Sequence, residues 1–121
     1  MLSRIPDIYS DSTIASVEMF PRVLRMIIQL FTEERISLQF NGYWASKFAV
    51  GWNDDEAVEA LVVKDNSELL EETARLLLIQ EESVEGLRSY QVVTPYGDVV
   101  IEVIARSVQV DGRFTEDKGL S

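Results

Sequence analysis

Apolar residues recur along this chain with two competing periods. Between Pro21 and Glu34, Val23, Leu24, Ile27, Leu30 and Phe31 fall at the spacing of one helix face. Met26 and Ile28 widen that stripe, and Pro21 suits a first helical turn, where its missing N–H costs nothing. The pattern predicts a first helix, preceded by a shorter helical turn at 13–19. Arg22 and Arg25 then lie near the helix start and Glu33 and Glu34 near its end, against the dipole preference. The stretch "RISLQFNG" instead alternates, with Ile36, Leu38 and Phe40 on one side and Ser37, Gln39 and Asn41 on the other. That is a half-buried strand.

Asn41-Gly42 is a strong hairpin signal, and "NGYWASKFAVGW" then alternates as a return strand. Loop parity decides which face its aromatics take. A two-residue turn pairs Phe40 with Tyr43 and puts Trp44, Phe48 and Trp52 on the far face. An odd loop with Gly42 in a bulge pairs Leu38 with Trp44 and gathers every large apolar side chain on one face. One-sided burial needs no further layer, which favours the odd loop.

"EAVEALVV" reads as a third strand, because a helix start, Asp65-Asn66-Ser67, follows at once; a helix capped by Asn53 or Asp54 is the alternative. In "SELLEETARLLLIQEE" Ser67 or Asn66 caps a second helix, and Leu69, Leu70, Ala74, Leu77 and Leu78 form its stripe. Gly86 is its expected terminator. Residues 89–110 read as a hairpin turning at Thr94-Pro95-Tyr96-Gly97, with Val99, Ile101, Val103 and Ala105 as its apolar face.

The expected fold is therefore α+β and two-layered, in the order α-β-β-β-α-β-β. About five antiparallel strands carry two helices on one face. Residues 1–121 make one domain, with an N-terminal arm at 1–12 and a flexible tail at 111–121.

Charge changes the picture. The net charge is −10. Residues 1–52 are neutral, whereas residues 53–88 hold eleven acids against Lys64, Arg75 and Arg88. No basic face is visible for direct binding of nucleic acid. With no His and no Cys, a histidine-based triad, a cysteine nucleophile or an ordinary zinc site is excluded. Phosphate-loop patterns are absent, so no cofactor is expected. The carboxylates Asp54, Asp55 and Glu56, with Asp7 and Asp11 in reach, could form an acid pair or hold Mg²⁺ or Ca²⁺. Their spacing fits a solvated turn better. An enzyme is not expected. No signal peptide or membrane span is apparent, and a cytoplasmic protein without membrane contact is the expectation.

Two surfaces are candidate partner sites. A helix apolar nearly all round must be buried nearly all round. Met19, Phe20, Met26 and Ile28 on the first helix therefore point to a homodimer or a partner subunit, unless the arm residues Leu2, Ile5, Ile8 and Tyr9 fold over them. Glu68, Glu71, Glu72, Glu81, Glu82 and Glu85 form an acidic face that suits a basic partner, or is simply solvated. Small size, acidity and the element order over residues 13–106 resemble the type III secretion chaperone fold. That resemblance implies an acidic homodimer that holds another protein without catalysis. The expected function is protein binding as a chaperone, adaptor or assembly subunit. The alternative is an acidic inhibitor of a basic or nucleic-acid-binding partner, of immunity, antitoxin or anti-defence type.

Overall fold

The computed structural model describes residues 2–4, 12–30, 34–49 and 57–115. Trp52, Phe31 and the carboxylates at 7, 11 and 54–56 lie outside the described residues. The chain is mostly β. Its strands are β1 (Leu2–Arg4), β2 (Ser12–Phe20), β3 (Val23–Gln29), β4 (Glu34–Asn41), β5 (Ala45–Phe48), β6 (Ala57–Val58), β7 (Ala60–Lys64), β8 (Arg88–Val93), β9 (Val99–Ala105) and β10 (Ser107–Thr115). One helix, α1 (Glu68–Ile79), stands between β7 and β8.

The strands form two five-stranded antiparallel sheets, β1-β7-β8-β9-β5 and β10-β4-β3-β2-β6. The sheets pack face to face, and α1 covers part of the outer face of the first. Among the described residues no helix is long and apolar enough to cross a membrane.

The first expected helix is a hairpin, β2–β3. Along β3 burial alternates strictly, with Leu24, Met26 and Ile28 buried and Val23, Arg25, Ile27 and Gln29 partly exposed. The apolar excess once assigned to a helix is thus split between two faces of a strand. Met26 and Ile28 are 0% and 1% exposed, in the core between the sheets. The second sheet supplies the cover for which a dimer was invoked, so the helix-based argument for a homodimer falls away. Among the described residues there are one helix and ten strands, and the element order behind the chaperone resemblance is not found there. Parts of the expected arm and tail lie within strands. Leu2–Arg4 pairs with β7, and β10 continues to Thr115 beside β4.

β4 and β5 do not pair with each other. β4 lies between β3 and β10, and β5 lies beside β9. Asn41-Gly42 is a corner where the chain passes from one sheet to the other. The Trp44 N–H donates to the Ile104 carbonyl at 2.9 Å, and the Arg106 N–H donates to the Asn41 carbonyl at 2.9 Å. Arg106 stands at the reverse crossing, between β9 and β10. Gly42 has φ +66, and a Cβ there would lie 2.8 Å from Arg106 Cγ. Glycine is required twice over, by conformation and by space. Both loop-parity alternatives fail, because each assumed a local hairpin.

The expected strand at 57–63 is present, broken at Glu59 as the chain changes sheets between β6 and β7. The 88–105 hairpin turns at Thr94–Gly97, where the Gly97 N–H donates to the Thr94 carbonyl at 2.9 Å. β9 is buried on both faces. Ile101, Val103 and Ala105 join the core between the sheets, while Ile104 meets Leu70, Leu77 and Leu87 beneath α1. Phe40 of one sheet meets Tyr90 of the other edge to face, with ring centroids 5.4 Å apart.

The helix begins as its sequence dictates. Ser67 Oγ accepts the Leu70 N–H at 3.0 Å and donates to Glu102 at 2.6 Å, which ties the cap to β9. The helix ends before the expected terminator. Glu81 takes φ 60, and the N–H groups of Glu81 and Glu82 donate to the carbonyls of Leu78 and Leu77. That is a Schellman motif with Glu where Gly is usual. Leu70, Thr73 and Leu77 are buried, while Leu78, named for the stripe, is exposed.

Candidate functional site

The tip of the β2–β3 hairpin carries the most distinctive surface chemistry. Phe20 pairs with Val23, so Pro21 and Arg22 alone make the turn. Proline presets the first turn position, and Arg22 takes φ 67 at the second. A side chain in that region costs roughly 1 kcal/mol and needs support from its surroundings. Here the Arg22 carbonyl accepts the Tyr43 N–H at 3.0 Å, and its guanidinium lies 3.4 Å from the centre of the Trp44 ring. The corner at 41–44 thus holds the hairpin tip.

Beside this stack, Met19 and Phe20 are 58% and 45% exposed. The Arg25 guanidinium sits 5.8 Å from the Phe20 ring centre. The Tyr43 hydroxyl lies 2.9 Å from Ser46 Oγ and 3.5 Å from Met19 Sδ. The underside of Trp44 packs against the small core beneath α1, and its indole N–H is buried without an acceptor. Exposed aromatic rings, a methionine and stacked arginines are the composition of binding hot spots. Neither Arg22 nor Arg25 has a carboxylate partner among the described residues, although Glu18 faces Arg25 in register across the strands.

The six expected acidic residues behave differently. Glu68, Glu71, Glu72, Glu81, Glu82 and Glu85 are all exposed, and the first three line a shallow depression with Arg75. Leu76, Leu78 and Ile79 are exposed among them. Arg106 donates to the carbonyls of Ser83, at 2.6 Å, and Glu85, and so anchors the loop after α1. A second cleft, beside Lys47, Glu68, Leu69, Glu72 and Glu102, has its Glu102 carboxylate engaged by Ser67 and Ser89, each at 2.6 Å. That network fastens a helix cap to a strand. Among the described residues no three acidic side chains gather as a metal-holding group.

Of the four apolar residues singled out from sequence, the structure brings Met19 and Phe20 together at an exposed tip and buries Met26 and Ile28. Sequence reasoning missed Arg22, Arg25, Tyr43 and Trp44 as a cluster. Its one signal was the inverted helix dipole, since two arginines do not belong in a first turn. No protein-family model, curated protein or solved structure matches this chain.

Proposed function

We propose that this chain is a non-enzymatic protein-binding module, an adaptor or assembly subunit, that engages its partner through the β2–β3 tip. One observation carries this reading. In a chain of net charge −10, two arginines rest on aromatic rings beside exposed Met19 and Phe20. Stacked arginines keep their in-plane N–H donors free for a partner, and the adjacent apolar side chains exclude water around that contact. A photo-reactive residue placed at Phe20 should cross-link a discrete partner in the native host. The same group at Glu59 should not. Equal labelling from both positions would overturn the proposal.

A second reading rests on the acidic helix. Six exposed glutamates with Leu76, Leu78 and Ile79 among them suit an inhibitor of a basic or nucleic-acid-binding partner. It requires cross-linking from Glu82 rather than Phe20, and binding that weakens with salt and with E68K, E72K or E82K.

A further inference from the structure

The corner at 41–44 serves two parts of the molecule at once. The hairpin tip rests on it: the Tyr43 N–H donates to the Arg22 carbonyl, and the Arg22 guanidinium stacks on the Trp44 ring. The helix rests on it too, because the same Trp44 side chain packs against Leu70, Leu77, Leu87 and Ile104, the small core that holds α1 to the sheet. A second connection runs through Arg106. Its N–H donates to the Asn41 carbonyl, its aliphatic stem fills the space beside Gly42, and its guanidinium donates to the Ser83 and Glu85 carbonyls. Val84, between those two carbonyls, packs against the core beneath α1.

Helix α1 is also able to move as a unit. Among the described residues it contributes nothing to the core between the sheets, so it can lift without opening that core. Lifting it exposes the Trp44 indole N–H, which is buried without an acceptor while the helix is docked. It also removes the backing of the ring on which Arg22 stacks, and Arg22, at φ 67, depends on its surroundings for support.

We propose that α1 regulates the hairpin tip. Docked, the helix fixes Trp44 as the seat of Arg22 and keeps the tip ready to bind; lifted, it releases that seat. The proposal rests on the protein-binding reading above and adds its regulation. Trp44 is a positioning residue, and the docking of α1 is the two-state element that both sites bias. Linkage makes the effect reciprocal. A partner held at the tip keeps α1 docked, and whatever lifts α1 weakens that partner's hold by the same factor.

Hydrogen exchange in the full chain, with no partner added, tests this coupling; cross-linking from Phe20 judges the protein-binding reading separately. Ser67→Ala loosens α1 through its cap, which involves no tip residue. It is expected to speed exchange of the Thr73–Leu77 amides by about five-fold, and of the Trp44 indole N–H and the Tyr43 amide by the same factor, with the β3 amides unchanged. Leu77→Ala, which loosens the helix through its buried face, should repeat that pattern. In the reverse direction, Arg22→Ala should speed exchange of the same α1 amides by about three-fold. Arg25→Ala should leave them unchanged, because its guanidinium lies over Phe20 and not Trp44. Faster exchange in α1 with the Trp44 indole and the Tyr43 amide unmoved overturns the proposal, since the helix would open without the tip. Unchanged α1 amides in Arg22→Ala overturn it as well. So does equal acceleration in β3, because α1 would then open only with the whole sandwich.

Discussion

The two apolar regions of this protein are built to different standards. Between the sheets, sixteen described residues from seven strands and their flanks are buried together, none more than 5% exposed. Beneath α1 the buried apolar cluster among the described residues is Leu70, Leu77, Leu87 and Ile104, with Trp44, Ala45, Leu69 and Val84 partly buried against it. The helix presents its other apolar side chains to solvent, Ile79 at 73% exposure. Apolar burial is the dominant favourable term in folding. The sandwich therefore carries the stability, and α1 is a layer added to it through a cap, a short stripe and the Arg106 anchor.

The sharpest way to break this comparison is to open a cavity on each side. Phe40→Ala removes the largest fully buried side chain and its contact with Tyr90. It should cost about 3–5 kcal/mol by denaturant unfolding. Leu77→Ala should cost about 2 kcal/mol, at the low end for a buried leucine, because exposed neighbours can close on the gap. Equal losses would show that the helix is an equal part of the core. Ser67→Ala removes the cap and its bond to Glu102, and should cost about 1 kcal/mol. Its loss should appear as faster amide exchange in α1 before any change in β3 or β9.

Smaller effects sharpen the contrast. Glu81→Gly relieves the left-handed residue that ends α1 and should stabilise by about 0.5–1 kcal/mol. The last effect acts on the sandwich alone. Burial pushes the Tyr90 phenol above its ordinary value, and the Arg88 charge offsets part of that rise. The unfolded chain then ionises first as pH increases. Stability from this group is complete below about pH 10 and is lost as pH rises through the folded-state value. Tyr90→Phe should blunt that alkaline decline, measured as melting temperature against pH.

Some of this was legible in the residues themselves. Helix α1 announced itself through Ser67, an acidic first turn and a leucine stripe, all local signals. Thr94–Gly97 did the same for a hairpin. The β2–β3 region misled because two periods coexist in it. Leu24, Met26, Ile28 and Leu30 alternate as a strand requires, but Val23 and Ile27 fill the outer face and complete a helical stripe. Asn41-Gly42 misled for another reason. Its corner is defined by β9 and β10, which lie far along the chain, and no local pattern reports them. The candidate site was half legible: Met19 and Phe20 were singled out as surplus apolar residues, whereas Trp44 joins them only through the fold.

The sheet crossings at Asn41-Gly42, Glu59 and Arg106 set the order in which the molecule can assemble. β2–β3 and β8–β9 close locally, but β1–β7, β5–β9 and β4–β10 join residues between 53 and 81 positions apart. Such pairings make folding slow, in the millisecond-to-second range. During synthesis β4 waits with an unpaired edge until residue 107 and beyond have emerged. A ribosome stalled before that point would hold a chain whose β4 edge is open to aggregation.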